Sequence, residues 1–306
     1  MALAAFTGAP PTQDQEPAVR RKSGIALVLL LPGVLYLVLF FLTPLVSLII
    51  TSFQAPVVDG DIGQYQTAFQ WQNYTDSIAE YWPQILRSFG YALIATAAAL
   101  LISYPLAYFI GVKMRGRPLA QNLLMTLVIA PFFISFLLRT LAWKAILSDD
   151  GWVASSLKAI SVLPPDAHIT GTPFSVIFGL TYNFIPFMCL PLYSTLERLD
   201  TRLLEAGQDL YASPWTTFRK VTVPLSMPGI VSGTLLTFIP AAGDYINASQ
   251  DFLGAADTSM MGNVIESNFL VLQNYPTAAA MSVILMAVIL VIVGVYVRRS
   301  GTEDLL

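Results

Sequence analysis

The run Ile25–Ile50 holds 26 consecutive residues without an Asp, Glu, Lys or Arg. As a helix rising about 1.5 Å per residue it reaches about 39 Å, enough to cross a hydrocarbon core of about 30 Å with tilt. It is too long for the apolar region of a signal peptide, and no small-residue cleavage site follows, so it reads as a retained span. Five further segments meet the same test, at Ile85–Val112, Leu119–Leu147, Phe174–Leu196, Leu225–Ile246 and Tyr275–Val297. The fold class expected is an all-α integral membrane protein with six transmembrane helices.

Composition excludes most alternatives. Charged residues are 11% of the chain and hydrophobic residues 55%; a soluble domain carries about a quarter charged residues. Cys189 is alone, so no internal disulfide forms, and a single histidine, His168, leaves little for a metal site. His168 lies beside Pro164-Pro165 in an expected outside loop, with no catalytic cluster around it. No G-x-x-x-x-G-K-[ST] run occurs, so the chain lacks a phosphate-cradling loop of its own. Neither a catalytic nor a metal-ligating set is expected, and no nucleic-acid partner.

Orientation follows the distribution of Lys and Arg. With the N-terminus inside, the inner segments hold Arg20, Arg21, Lys22, Lys113, Arg115, Arg117, Arg198, Arg202, Arg219, Lys220, Arg298 and Arg299, twelve of the 16 cations. Both termini are therefore expected in the cytoplasm. Residues 1–23 read as a disordered cytoplasmic tail, 24–300 as the six-helix membrane domain and 301–306 as a C-terminal cytoplasmic tail. Prolines 32, 44, 105, 131, 186, 191, 228 and 240 fall in or beside the spans. They serve either as packing kinks or as hinges beside a pathway. Ala92, Ala95, Ala97, Ala98, Ala99 and Ser103 suit close helix contact in the second span.

Three outside loops are expected, at 51–84, 148–173 and 247–274. Their aromatics, among them Trp71, Trp82 and Trp152, form either an interfacial belt or a surface for an extracytoplasmic partner. Asn73-Tyr74-Thr75 matches a glycosylation sequon, a three-residue pattern common by chance and discounted here.

The inside segment 197–224 differs from the rest. Leu199, Leu203, Leu204, Leu210 and Tyr211 are spaced for a short amphipathic helix, with Asp200 placed to cap it. Glu205-Ala206-Gly207 lies in it, and Val221-Thr222-Val223-Pro224 ends it. This segment resembles the EAA loop of ABC importer permeases, whose pattern is Glu-Ala-Ala, three residues, Gly, nine residues, Ile-x-Leu-Pro. Gly207 stands where the family has its second Ala, and Tyr211 where it has Gly. Since positive φ is costly for a bulky residue, Tyr211 is expected in an ordinary helical or extended conformation.

Asp209-Leu210, Ala212-Ser213, Phe218 and Met227-Pro228-Gly229-Ile230 extend the likeness. So do Pro131-Phe132, Leu138-Arg139, Pro186-Phe187-Met188, Pro191-Leu192-Tyr193-Ser194 and Gly262-Asn263-Val264-Ile265. Together they look like the spermidine/putrescine importer permeases, over roughly residues 24 to 300. Related permeases carry iron, thiamine, 4-aminobutyrate or phosphonates.

The resemblance implies a type I ABC importer permease fold in a bacterial inner membrane. It implies no catalysis and no cofactor in this chain, with ATP and Mg bound by a cytoplasmic ABC ATPase present in two copies. It implies a second, homologous permease subunit, an extracytoplasmic substrate-binding protein and a small cationic substrate. Leu203, Leu204, Glu205, Ala206, Gly207, Asp209, Leu210 and Tyr211 would couple to the ATPase, with the leucines on the apolar floor of its cleft. A polycation calls for carboxylates and aromatic faces, and intramembrane charges are candidate sites. Asp244 with Tyr245, then Glu266, then Tyr182 and Asn183, are the candidates along the pathway. Asp244 has an alternative structural role as the partner of Arg139. A secondary transporter, a rival class, predicts midplane ionisable relays and an inverted repeat.

Overall fold

The computed structural model describes residues 24–300, so the two expected tails, 1–23 and 301–306, lie outside the described residues. The chain divides at Ser47 into two compact units. In the first, helix α1 (Gly24–Leu37) passes through a π-helical turn at Val38–Leu42 into α2 (Thr43–Ser52). The widened turn has a local cause. Pro44 offers no N–H to the preceding turn, and the backbone N–H and Oγ1 of Thr43 both go to the Val38 carbonyl. Side chains from Leu29 to Pro44 are exposed, as a lipid-facing surface requires.

The second unit begins within α2. A short antiparallel hairpin pairs β1 (Ala55–Pro56) with β2 (Tyr65–Gln66). Helix α3 (Gln72–Tyr108) follows and starts well before the expected second span, with a kink at Tyr81, two residues ahead of Pro83. The expected outside loop 51–84 is thus partly helical. Asn73 of the sequon-like triplet donates from Nδ2 to the carbonyls of Ser52 and Gln54, at 2.9 Å each.

Past a π-helical turn at Phe109–Lys113, the third expected span is broken. Helix α4 (Pro118–Ile129) runs into a 3-10 turn at Ala130–Phe133 and, after extended Ile134, restarts as α5 (Phe136–Leu147) and continues into α6 (Trp152–Ala159). The two halves meet at 94°. Pro131 removes a backbone donor inside the turn, and the extended backbone at Ile134 and Ser135 prevents the helix from continuing straight.

Helix α7 (Pro173–Glu197) is the centre of the unit. Thr172 and Ser175 cap it reciprocally. Ala92, Ala95, Ala99, Ser103 and Ala107 of α3 are buried at three- and four-residue spacing, and α3 and α7 form the largest helix contact. After α8 (Thr201–Asp209) and α9 (Pro214–Thr217), a π-helical turn at Phe218–Thr222 precedes α10 (Val223–Leu225). This turn stands two residues before Pro224, as the first one stands before Pro44. Helix α11 (Met227–Ala242) leaves at 66° and lies against α7. A Cβ at Gly233 would fall 3.0 Å from the Met188 carbonyl oxygen, so the two helix backbones approach closely at this crossing.

The short α12 (Met261–Glu266) and the long α13 (Tyr275–Ser300) complete the fold. Segment 247–274, expected as an outside loop, is largely packed inward: Asn247, Leu253, Met260 and Met261 are fully buried. Among the described residues four helices are long and apolar enough to cross a membrane, and the number rises to six if each bent pair is one span.

Candidate functional site

The amphipathic helix expected between the fourth and fifth spans is α8. Asp200 caps it, its Oδ1 accepting the Arg202 N–H at 3.0 Å. Glu205, Ala206 and Asp209 are exposed, and Leu204 is half-buried. Leu203 is 46% and Leu210 81% exposed, so an apolar edge of α8 is left uncovered within this chain. Glu205 has no ion-pair partner among the described residues. A cavity of about 400 Å³ lies at the helix entry, lined by Ser194, Arg198, Asp200, Leu203 and Leu225 among others.

The helix exit corrects one expectation. Tyr211 has φ of +56°, in the left-handed region, and is 98% exposed. The Ala212 N–H reaches back to the Gly207 carbonyl at 3.0 Å, the six-to-one bond of a Schellman ending. That ending places Tyr211 at the position where glycine is favoured. Gly207 also has a reason to lack a side chain: a Cβ there would fall 2.8 Å from Thr217 Oγ1, so α8 and α9 touch at this point.

The pathway candidates divide into two groups. Asp244 is buried just beyond α11, and its carboxylate is used locally. Oδ2 accepts the Asn247 N–H at 2.7 Å and Oδ1 accepts Asn247 Nδ2 at 3.1 Å. Asn183 Nδ2 donates to Asn247 Oδ1 at 3.1 Å and to Thr140 Oγ1 at 3.2 Å. A buried polar chain therefore links the turn after α11 to α7 and α5. Its members Asn247 and Thr140 escaped the sequence reading. The Asp-x-x-Asn spacing is the one local signal for the first, and there is none for the second.

The alternative pairing of Asp244 with Arg139 is not formed. The Arg139 guanidinium is buried, its Nε and Nη1 lack acceptors, and it lies 5.7 Å from the Phe136 ring centroid. Tyr182 is half-buried, with the Trp143 ring edge-on at 5.1 Å. Tyr245 is 46% exposed. Glu266 ends α12 half-buried, and burial, with Asp251 nearby, raises its carboxyl above the usual range. His168 is exposed and its Nδ1 sits 2.6 Å from Asp149 Oδ2, while Lys158 donates to Asp149 Oδ1 at 3.1 Å. These two partners hold the Asp149 carboxyl below its ordinary range.

A helical membrane domain with two sharply broken spans and an exposed, capped amphipathic helix between the fourth and fifth defines a transport permease. Residues 103–300 match the family of binding-protein-dependent transport system inner membrane components, and the chain belongs to that family. It is 39% identical over 267 residues to the spermidine/putrescine transport system permease protein PotB of Escherichia coli K12, covering 87% of this chain and 94% of that protein. The PotB of Haemophilus influenzae is 37% identical over 266 residues, 87% of this chain and 90% of that protein. The inner membrane ABC transporter permease protein YdcU of Escherichia coli is 31% identical over 233 residues, 72% of each.

Solved structures share the fold at low identity. A bacterial ABC transporter that imports the acidic polysaccharide alginate superposes with a TM-score of 0.62 at 17% identity, covering 90% of this chain and 94% of the other. The methionine ABC transporter MetNI superposes with 0.54 at 18% identity, covering 71% and 93%. The fold is that of the type I ABC importer permeases.

Proposed function

We propose that this chain is a permease subunit of an ATP-driven importer that moves polyamines, spermidine and putrescine, into the cytoplasm. The observation that carries the substrate is the 39% identity to a polyamine permease over 87% of the chain. The observation that carries the coupling mechanism is α8, a capped helix with an apolar edge and an unpaired carboxylate open to a partner.

In this reading α8 docks in a cleft of a cytoplasmic ATPase, present in two copies, which alone binds ATP and Mg. Leu203, Leu204 and Leu210 line the contact, Ala206 and Gly207 permit close approach, and Glu205 meets basic or backbone groups. Asp209 and Tyr211 complete the contact at the helix end, where Tyr211 also turns the chain back. Both termini face the cytoplasm, on the side of Arg115, Arg198, Arg202, Arg219 and Lys220. A second homologous permease completes the path, and an extracytoplasmic binding protein delivers substrate to the outer loops.

Along the path, Tyr245 and Glu266 supply an aromatic face and a carboxylate for an ammonium group, and Tyr182 a second face. Asp244 and Asn183 act together as the buried polar chain that shapes the wall. The test is reconstitution of the complete complex in proteoliposomes with ATP inside and labelled spermidine outside, with putrescine, 4-aminobutyrate, thiamine and phosphonate as competitors. ATP-dependent spermidine uptake blocked by putrescine is the expected result. Uptake driven by an ion gradient without ATP would sink the importer reading, and block by 4-aminobutyrate alone would move the substrate.

A further inference from the structure

We propose that Arg115 is the positioning residue that carries movement of α8 into the membrane helices, by clamping the junction between α7 and α8. The proposal rests on the docking role given to α8 above. A helix leaves its last carbonyls without intrahelical partners. At the end of α7, Arg115 bonds to two of the last carbonyls, of which that of Leu196 also accepts the Leu199 N–H at 3.3 Å. Arg115 Nη2 donates to the Leu196 carbonyl at 2.9 Å and to the Glu197 carbonyl at 2.5 Å. Its Nη1 donates to the Leu199 carbonyl at 2.8 Å, one residue before the cap of α8. Its Nε reaches back to Gly111 at 3.3 Å, in the π-helical turn that ends the second span. One guanidinium thus ties the end of that span to both sides of the α7–α8 hinge.

The surroundings reinforce the junction. Gly111 is buried, and a Cβ on it would fall 3.3 Å from the Glu197 nitrogen, so the two backbones are in contact there. Gln121 of α4, also buried, donates to Tyr193 Oη at 2.9 Å and to Glu197 Oε1 at 3.1 Å, and Tyr193 donates to the same carboxylate at 2.8 Å. The first half of the broken third span is therefore held to the same turn of α7. At its far end α8 is held close to the chain again, by Gly207 against Thr217.

The chemistry explains why arginine stands here. A planar fork on several carbonyls fixes both direction and distance, whereas a point charge tolerates sliding. The contrast with its neighbours is direct. Lys113 and Arg117 are exposed and their side chains make no hydrogen bond within the described residues, as expected of residues that set topology alone. A tilt imposed on α8 by the closing ATPase reaches α7 along the chain, and this side chain passes it on to the turn at Gly111 that ends the second span.

The experiment uses the reconstituted complex of both permeases, ATPase and binding protein, and reads three quantities: ATPase retained on purification, ATP hydrolysis and spermidine uptake. In Arg115→Gln, uptake per ATP hydrolysed falls about tenfold, the scale of one lost charge-assisted hydrogen bond, while the ATPase is retained. Arg115→Lys, which keeps the charge without the fork, falls to an intermediate ratio, and Arg117→Gln keeps the unsubstituted ratio. An unchanged ratio in Arg115→Gln overturns the proposal. So does loss of ATPase in step with loss of uptake, which would make Arg115 part of docking. If the Gln variant does not assemble, an unchanged ratio in Arg115→Lys overturns it equally. Failure of the underlying reading shows separately, as absent spermidine uptake in the unsubstituted complex.

Discussion

Replacing Tyr211 by glycine should tighten the end of α8. The tyrosine sits at φ +56° with its ring 98% exposed. A left-handed conformation costs an L-residue roughly 1–2 kcal/mol, which glycine avoids. Glycine in turn loses more freedom on ordering, which takes back roughly 0.5–1 kcal/mol. The net gain is about 0.5–1 kcal/mol in favour of the closed loop. Local opening of the α8 end then becomes about two- to fivefold rarer. Hydrogen exchange by mass spectrometry of the complex in nanodiscs reads this on a peptide covering 206–213. The Ala212 amide, bonded to the Gly207 carbonyl, is the reporter. Tyr211→Ala serves as the control, since it removes the ring and keeps the strain. Equal or faster exchange in the glycine variant would refute the reasoning, because it would mean that the ring stabilises the turn by more than the strain costs.

Four further outcomes are expected. Glu205→Ala, at an exposed position on α8, should lower spermidine uptake and uptake-coupled ATP hydrolysis while the subunit still inserts; unimpaired coupling would remove α8 from the ATPase contact. Asp244→Ala should lower thermal stability by about 2 kcal/mol, because two donors of Asn247 lose their acceptor. Arg139→Met should cost nothing, since its guanidinium has no partner on Nε or Nη1, whereas a buried ion pair between the two would make either change cost about 3–5 kcal/mol. The Asp149 carboxyl is depressed in the folded chain, so its stabilising effect is complete above the ordinary carboxylate range and lost as pH falls through its lowered value. Limited proteolysis of segment 148–168 should therefore quicken only at strongly acidic pH, and Asp149→Asn should be cut as fast at neutral pH as the parent chain is in acid.

The positions of the spans were legible because hydropathy is a local property averaged over about 20 residues. The cap at Asp200 and the short helix after it were legible for the same kind of reason, since cap and periodicity lie within one turn of each other. The break in the third span was half-legible: Pro131 announced a perturbation, and only the extended backbone at Ile134 turned it into a 94° bend. Segment 247–274 read as loop because its polarity is mixed, yet it packs inward through contacts such as Met261 N–H to Ser88 Oγ at 2.7 Å, across 173 residues of chain.

Residue type alone misjudged Tyr211. Its side chain argues against positive φ, but the carbonyls left open at the end of α8 and the chain's return toward Thr217 demand it. Arg115 read as one of three basic residues marking a side of the membrane, and nothing near it in sequence distinguishes it from Lys113 or Arg117. Its distinction comes from the end of α7, more than 80 residues away, whose carbonyls it meets. Asp244 differs: its partner Asn247 is three residues on, and the alternative partner Arg139 is not used. The apolar segments long enough to span and the exposed helix could be located from the chain alone, because each depends on neighbours along it. Which polar groups meet was left to packing, since unpaired donors and acceptors in an apolar medium take the partners brought within about 3 Å, whatever their distance in sequence.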